Sequence, residues 1–174
     1  LSAHTVTANG NAATSTSNPK FGTDSCILDG TGDYLSIPDH ADWDFGTGDF
    51  CIEGWFKWSA TGGNYYLIHR GAGTNVCGIY HSANAFHCYI AGGAAVISAA
   101  AFTPTLDTWY HIAFTRSGTD CKLFVNGIQT GSTGTSSGDI TGTQPFYIGA
   151  FDDGSLGFNG YIDEVTIFNR SLSN

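Results

Sequence analysis

Asp49-Phe50-Cys51-Ile52-Glu53-Gly54-Trp55-Phe56-Lys57-Trp58 is the stretch that decides the fold. Successive side chains of an extended strand point to opposite faces. Phe50, Ile52, Gly54 and Phe56 therefore share one face, and Cys51, Glu53, Trp55 and Lys57 share the other.

The same rhythm of two runs outward in both directions. Strand-like runs fall at 65–70, 75–81, 85–91, 94–98, 108–116, 121–126, 145–149 and 160–168, most of them separated by Gly, Asn, Asp or Ser clusters. No segment carries a helical stripe. The chain has 174 residues, 24 of them glycine and only four proline, a composition suited to many strands joined by tight turns. These features predict an all-β sandwich or barrel in a single domain spanning 1–174. A first edge strand is expected near His4–Ala8, and the Gly/Ser/Thr-rich segment 131–143 is expected to be a surface loop.

Two hairpins are legible. Asn126-Gly127 is a favoured tight-turn dipeptide and should join 121–126 to 128–132. Strands 75–81 and 85–91 should meet near Ser82-Ala83-Asn84. With the turn centred on Ser82-Ala83, Cys77 faces Cys88. Cys77, Ile79, Phe86, Cys88 and Ile90 then form an apolar face, and Tyr80, His87 and Tyr89 the opposite one. The five cysteines lie in strand-like runs with no CxxC pair, which argues against structural zinc. Cys77 and Cys88 are read either as a cross-strand disulfide or as two buried thiols.

The formal charge is −9, from six Lys+Arg against 15 Asp+Glu. Nucleic acid and anionic membrane surfaces require a basic footprint, so both are disfavoured as partners. No apolar run reaches the roughly 20 residues that cross a bilayer, so membrane insertion is not expected. The chain opens without Met and without a basic-then-apolar leader. It is read as a domain excised or processed from a larger multidomain protein, extracellular or surface-associated. The acidic balance suits a hard cation such as Ca²⁺, or simply solubility.

Three segments resemble laminin-G-like domains of the concanavalin A-like lectin/glucanase superfamily. The first is Leu28-Asp29-Gly30-Thr31-Gly32-Asp33-Tyr34-Leu35-Ser36-Ile37-Pro38 followed by Phe50-Cys51-Ile52-Glu53-Gly54-Trp55-Phe56. The second is Trp109-Tyr110-His111-Ile112-Ala113-Phe114-Thr115 followed by Lys122-Leu123-Phe124-Val125-Asn126-Gly127. The third is Tyr147-Ile148-Gly149 followed by the run from Phe158 to Ser173. The resemblance implies a two-sheet antiparallel jelly-roll sandwich, frequent Ca²⁺ binding, and glycan or protein ligands on the concave face or loop rim.

The superfamily contains glycosidases as well as binding modules. Related glucanases carry their carboxylates as Glu-x-Asp-x-Glu on one strand, and this chain has no such motif. Its two glutamates, Glu53 and Glu164, would have to meet for a paired-glutamate mechanism. No GxSxG elbow or HExxH pair is present. The chain is therefore read as a binding module and not an enzyme.

The resemblance implies two places for calcium. One uses Asp163 of the last strand with Asp29, the carbonyl of Gly30, and Asp33; the alternative is an Asp-Gly turn and a loop-capping aspartate. The other is a ligand-linked rim site at Asp152 and Asp153, with Asn75 from a second loop; the alternative is a solvated Asp-Asp-Gly turn. A glycan platform is expected where Tyr80, His87 and Tyr89 share one hairpin face, with Tyr65, His69 and Arg70 nearby; the alternative is that these aromatics cover the sheet. The functional expectation is a lectin-like module with structural Ca²⁺, serving adhesion or targeting by binding a glycan or surface protein. A protein–protein or structural module is the alternative.

Overall fold

The computed structural model describes residues 4–71, 76–92 and 95–172. The chain starts with β1 (Thr7–Asn9), β2 (Ala13–Ser15), β3 (Ser25–Asp29) and β4 (Tyr34–Ile37), followed by a 3-10 turn, η1 (Ala41–Trp43). The long β5 (Phe50–Trp58) leads into β6 (Tyr65–Arg70), β7 (Cys77–Ser82), β8 (Ala85–Ile90) and β9 (Ala95–Ala101). Then come β10 (Trp109–Ser117), β11 (Asp120–Val125), β12 (Ile128–Gln129), β13 (Gly134–Thr135), β14 (Phe146–Ile148) and β15 (Asn159–Phe168).

These strands form two antiparallel sheets. A seven-stranded sheet runs β1-β4-β14-β6-β7-β8-β9, and an eight-stranded sheet runs β12-β11-β10-β5-β15-β3-β2, with β13 on β11. β5 lies between β10 and β15, and its alternation sets the layers. Phe50, Ile52 and Phe56 are fully buried, while Glu53 and Trp55 stay half-buried on the outer face. Leu67, Ile79, Phe86, Cys88, Ile97 and Phe146 of the other sheet join the same buried cluster. Trp58 sits in this layer at 0% exposure, with the rings of Phe86, Phe102, Tyr110 and Phe158 at 5.1–6.4 Å. Burying one such side chain contributes about 1.5–3 kcal/mol.

The Asn126-Gly127 turn is as read from the sequence: Val125 pairs with Ile128, and both turn residues have positive φ. The other hairpin differs by one step. Its turn residues are Ala83 and Asn84, at φ 48° and 59°, so Ser82 pairs with Ala85. Cys77 consequently faces Ile90 and Cys88 faces Ile79. Each partner moves by two residues, which preserves the side-chain faces but undoes the Cys77–Cys88 juxtaposition. All five cysteines are free thiols.

The segment 131–143 is more than a surface loop. Ile140 is fully buried, and two buried arginines hold the segment against residues 39–48. Arg116 donates to the carbonyls of Gly46, Gly48 and Gly138 at 2.6–2.8 Å. Arg70 donates to the carbonyls of Ile140 and Gly142 and to the carboxylates of Asp39 and Asp44 at 2.6–3.2 Å. Each guanidinium fork gathers acceptors from both segments, a geometry that lysine cannot copy.

Candidate functional site: an aromatic hollow on the seven-stranded sheet

A bulge in β6 creates the site. Tyr66 pairs with Tyr80 but Ile68 pairs with Ile79, so Leu67 is an extra residue. Leu67 and Ile68 both turn into the core. Tyr66 and His69 therefore share the outer face with Tyr80, His87 and Tyr89 of the β7–β8 hairpin. Together with Gly71, Val76, Ala95, Phe151 and Asp152 they line a hollow of about 480 Å³.

The rings converge closely. Tyr66 lies 4.7 Å from Tyr80 and 5.0 Å from Phe151, and His69 lies 4.4 Å from Phe151. Tyr80 and His87 are 6.0 Å apart. Tyr89 crosses over Gly78, and its hydroxyl sits 2.9 Å from His69 Nδ1. Burial pushes the Tyr89 hydroxyl far up its titration scale, and its hydrogen bond to Tyr66 adds to this. His69 is only 2% exposed. Burial lowers its pKa, against the opposing pull of the Asp152 carboxylate and the Gly71 backbone. The imidazole is thus neutral at neutral pH, and its Nε2 is buried.

The expected site residues divide. His69, Tyr80, His87, Tyr89 and Asp152 meet in the hollow. Tyr65 does not: it is packed in the core, with its hydroxyl bonded to the Gly63 N–H and the Ala60 carbonyl. Arg70 faces the core as well and is spent on the contacts given above. The bulge explains Tyr65, since one extra residue separates its face from that of His69; Arg70, next to His69, faces the core by ordinary alternation. Asp153 is exposed, and hydrogen bonds from the Ser155 side chain and from its N–H, the latter at 2.8 Å, hold its pKa below the usual carboxylate value. Asn75 lies outside the described residues. Tyr66 and Phe151 are lining residues that the sequence reading did not select. Phe151 adjoins Asp152 and was within reach; Tyr66 was hidden by the bulge.

The residues expected to hold calcium do not form one shell. Asp33 is buried, and its two carboxylate oxygens accept from Asn11 N–H and Asp29 N–H. Asp29 accepts from Thr31 N–H at 2.7 Å, closing the turn that contains Gly30. Asp163 accepts from Lys20 N–H at 2.9 Å and Phe21 N–H at 3.1 Å. On β15 it stands four residues beyond Asn159, the partner of Asp29. At about 3.3 Å per residue this is roughly 13 Å, too far for a common ion. The donor set fits backbone capping at two separate turns and does not fit one calcium sphere.

Glu53 and Glu164 lie on adjacent strands. Glu53 is paired with His111 at 3.4 Å, and Glu164 is exposed in a bulge of β15 at φ 49°. Neither lines the aromatic hollow.

Two antiparallel sheets enclosing one apolar layer, with an aromatic hollow on an outer face, define a β-sandwich of the jelly-roll class. The chain belongs to the concanavalin A-like lectin/glucanases superfamily, whose family model matches residues 29–174. None of the curated proteins matches it. Among solved structures it is similar to domain 4 of AbnA, a GH43 extracellular arabinanase from Geobacillus stearothermophilus, in complex with arabinotriose. That match has 18% identity and a TM-score of 0.77, covering 98% of this chain and 84% of that one. The binding domain of Paraclostridial Mosquitocidal Protein 1 is similar at 14% identity and a TM-score of 0.74, over 98% of this chain and 45% of that one. The Trypanosoma rangeli sialidase is similar at 17% identity and a TM-score of 0.67, over 93% of this chain but only 28% of the sialidase. At these identities the likeness establishes the fold.

Proposed function

We propose that this chain is a non-catalytic recognition module that binds neutral carbohydrate in the aromatic hollow. It would act in adhesion or targeting within an extracellular or surface-associated protein. The supporting observation is the convergence of Tyr66, Tyr80 and Phe151 on the neutral His69 and the Asp152 carboxylate. Sugar rings lay their C–H faces on aromatic planes, and their hydroxyls need directed polar partners. Asp152 accepts from a sugar hydroxyl, and the half-buried Tyr80 and His87, which line the same hollow, offer further polar groups. A volume of about 480 Å³ falls in the range of small-ligand sites.

The charge class follows from the lining. No Lys or Arg is among the described lining residues, and the chain carries −9 overall. An anionic sugar would meet Asp152 and a repulsive field. One lining carboxylate also falls short of the two that glycoside hydrolysis usually requires. The arabinanase domain solved with arabinotriose is a relative in fold that carries a neutral oligosaccharide.

A glycan array spanning neutral and sialylated or sulfated sugars tests this directly, with calorimetry on the best binder. Neutral oligosaccharides should bind and anionic ones should not. Tyr66→Ala should weaken binding about tenfold, or roughly 1.4 kcal/mol. An array without neutral binders, or with a preference for anionic sugars, would refute the proposal.

A further inference from the structure

A separate cluster sits where the N-terminal segment crosses η1. His4 Nε2 lies 3.0 Å from Asp42 Oδ2, and His40 Nδ1 lies 3.3 Å from Asp42 Oδ1. Among the described residues this is the only group of three or more His, Cys, Asp or Glu whose ligand atoms gather, all within 4.8 Å of one another. The two imidazole rings meet edge-on, with centroids 4.7 Å apart and planes at 66°. Trp43, almost fully buried, forms the floor, 4.3 Å from the His4 ring.

We infer that His4, His40 and Asp42 form a site for a divalent transition ion, with Zn²⁺ the ion that fits best. Zinc binds imidazole nitrogen at about 2.0–2.1 Å and carboxylate oxygen at about 2.0–2.2 Å. Ligand atoms around it are then about 3.0–3.4 Å apart, for octahedral or tetrahedral placement respectively. The His4 Nε2–Asp42 Oδ2 separation of 3.0 Å matches the shorter of those edges, while His40 Nδ1 lies 3.3 Å from the carboxylate's other oxygen, Oδ1; one ligand atom from each residue lies within 4.8 Å of the others, so the three draw together on the ion. Two imidazoles and one carboxylate select zinc, nickel or copper over calcium, which prefers an all-oxygen shell.

The three residues are accessible, with side-chain exposures of 20% for His4, 41% for Asp42 and 51% for His40. His4 and Asp42 also border an open cleft of about 900 Å³, from which water completes the coordination sphere. His40 Nδ1 accepts from the Asp42 N–H at 3.1 Å, so this lone pair turns from the amide to the ion on binding. The ion would pin the N-terminal segment to the turn after β4.

The test uses the untagged chain stripped with chelator. Zn²⁺ is titrated by calorimetry, and Cu²⁺ by quenching of tryptophan emission, since Trp43 is at the site. One equivalent of Zn²⁺ should bind and raise the melting temperature, with Ca²⁺ failing to compete. His4→Ala and Asp42→Asn should each weaken Zn²⁺ about 100-fold or more, and His87→Ala should leave it unchanged. Circular dichroism would verify that the variants fold. Absence of stoichiometric Zn²⁺ binding, or equal binding by the parent and His4→Ala, would overturn the inference.

Discussion

The Tyr89 hydroxyl reaches His69 Nδ1 at 2.9 Å because only a hydrogen atom projects from Gly78 beneath the tyrosine ring. A Cβ at position 78 would stand 2.5 Å from the Tyr89 oxygen and 2.8 Å from the Ile68 carbonyl. The backbone cannot yield as a flexible side chain can. We expect Gly78→Ala to cost about 1–3 kcal/mol in denaturant unfolding and to abolish sugar binding with the displaced ring. Unchanged stability together with unchanged binding would mean that Tyr89 does not organise the hollow.

Acidification should destabilise the fold through two histidines. Burial lowers the pKa of both His69 and His81 from the ordinary 6.5. His81 Nε2 contacts the Phe102 carbonyl, and its ring lies against Trp58 and Phe86. A depressed histidine pKa means the unfolded chain takes up protons first as pH falls. The stability from holding these rings neutral is complete above about pH 6.5 and is lost as pH drops below it, until the folded-state pKa is reached. Each contributes a slope of up to about 1.4 kcal/mol per pH unit in that window. Melting curves from pH 8 to pH 5 measure this, and His69→Gln should flatten the slope.

The two arginines predict where the structure opens when a staple is lost. Arg116→Met leaves the carbonyls of Gly46, Gly48 and Gly138 without their donor. We expect a loss of about 3–5 kcal/mol, with faster hydrogen exchange concentrated in 138–142. Arg116→Lys should recover little, because one ammonium cannot span the three acceptors.

The aspartates of the early turn and of β15 should behave independently. Asp33→Ala removes the acceptor for Asn11 and Asp29, and Asp163→Ala the acceptor for Lys20 and Phe21. Each should cost about 1–3 kcal/mol, with additive effects in the double variant. A calcium-dependent rise in melting temperature that both single variants abolish would show instead that they share one ion.

The thiols should be unreactive until unfolding. Burial pushes Cys51 and Cys77 to about 12 and Cys26 to about 11, so thiolate is scarce at neutral pH. Intact mass should show five reduced cysteines, with rapid labelling only in denaturant.

The layers were legible because they depend on period two alone. Phe50, Ile52 and Phe56 announce a buried face whatever their partners are. The Asn126-Gly127 turn was legible because its chemistry is local. The β7–β8 turn was not, because Ser82-Ala83-Asn84 offers two centres with the same sorting of faces. The β6 bulge was invisible too: that Leu67 and Ile68 both enter the core shows only in the pairing of Tyr66 with Tyr80 and of Ile68 with Ile79 across the ladder. Tyr65 was selected in place of Tyr66 for that reason, whereas Arg70 turns inward by plain alternation with His69. His40 and Asp42 are local neighbours across the 3-10 turn, but His4, 38 residues before Asp42, joins them only once β1 pairs with β4.

The most direct measurement is two-dimensional NMR of the chain titrated with a neutral oligosaccharide such as arabinotriose or the best array binder. Saturable shifts should centre on Tyr66, His69, Tyr80, His87, Tyr89 and Phe151 and vanish in Tyr66→Ala. Saturable shifts elsewhere on the sandwich, or shifts at the hollow that persist in Tyr66→Ala, would contradict the sugar site placed there.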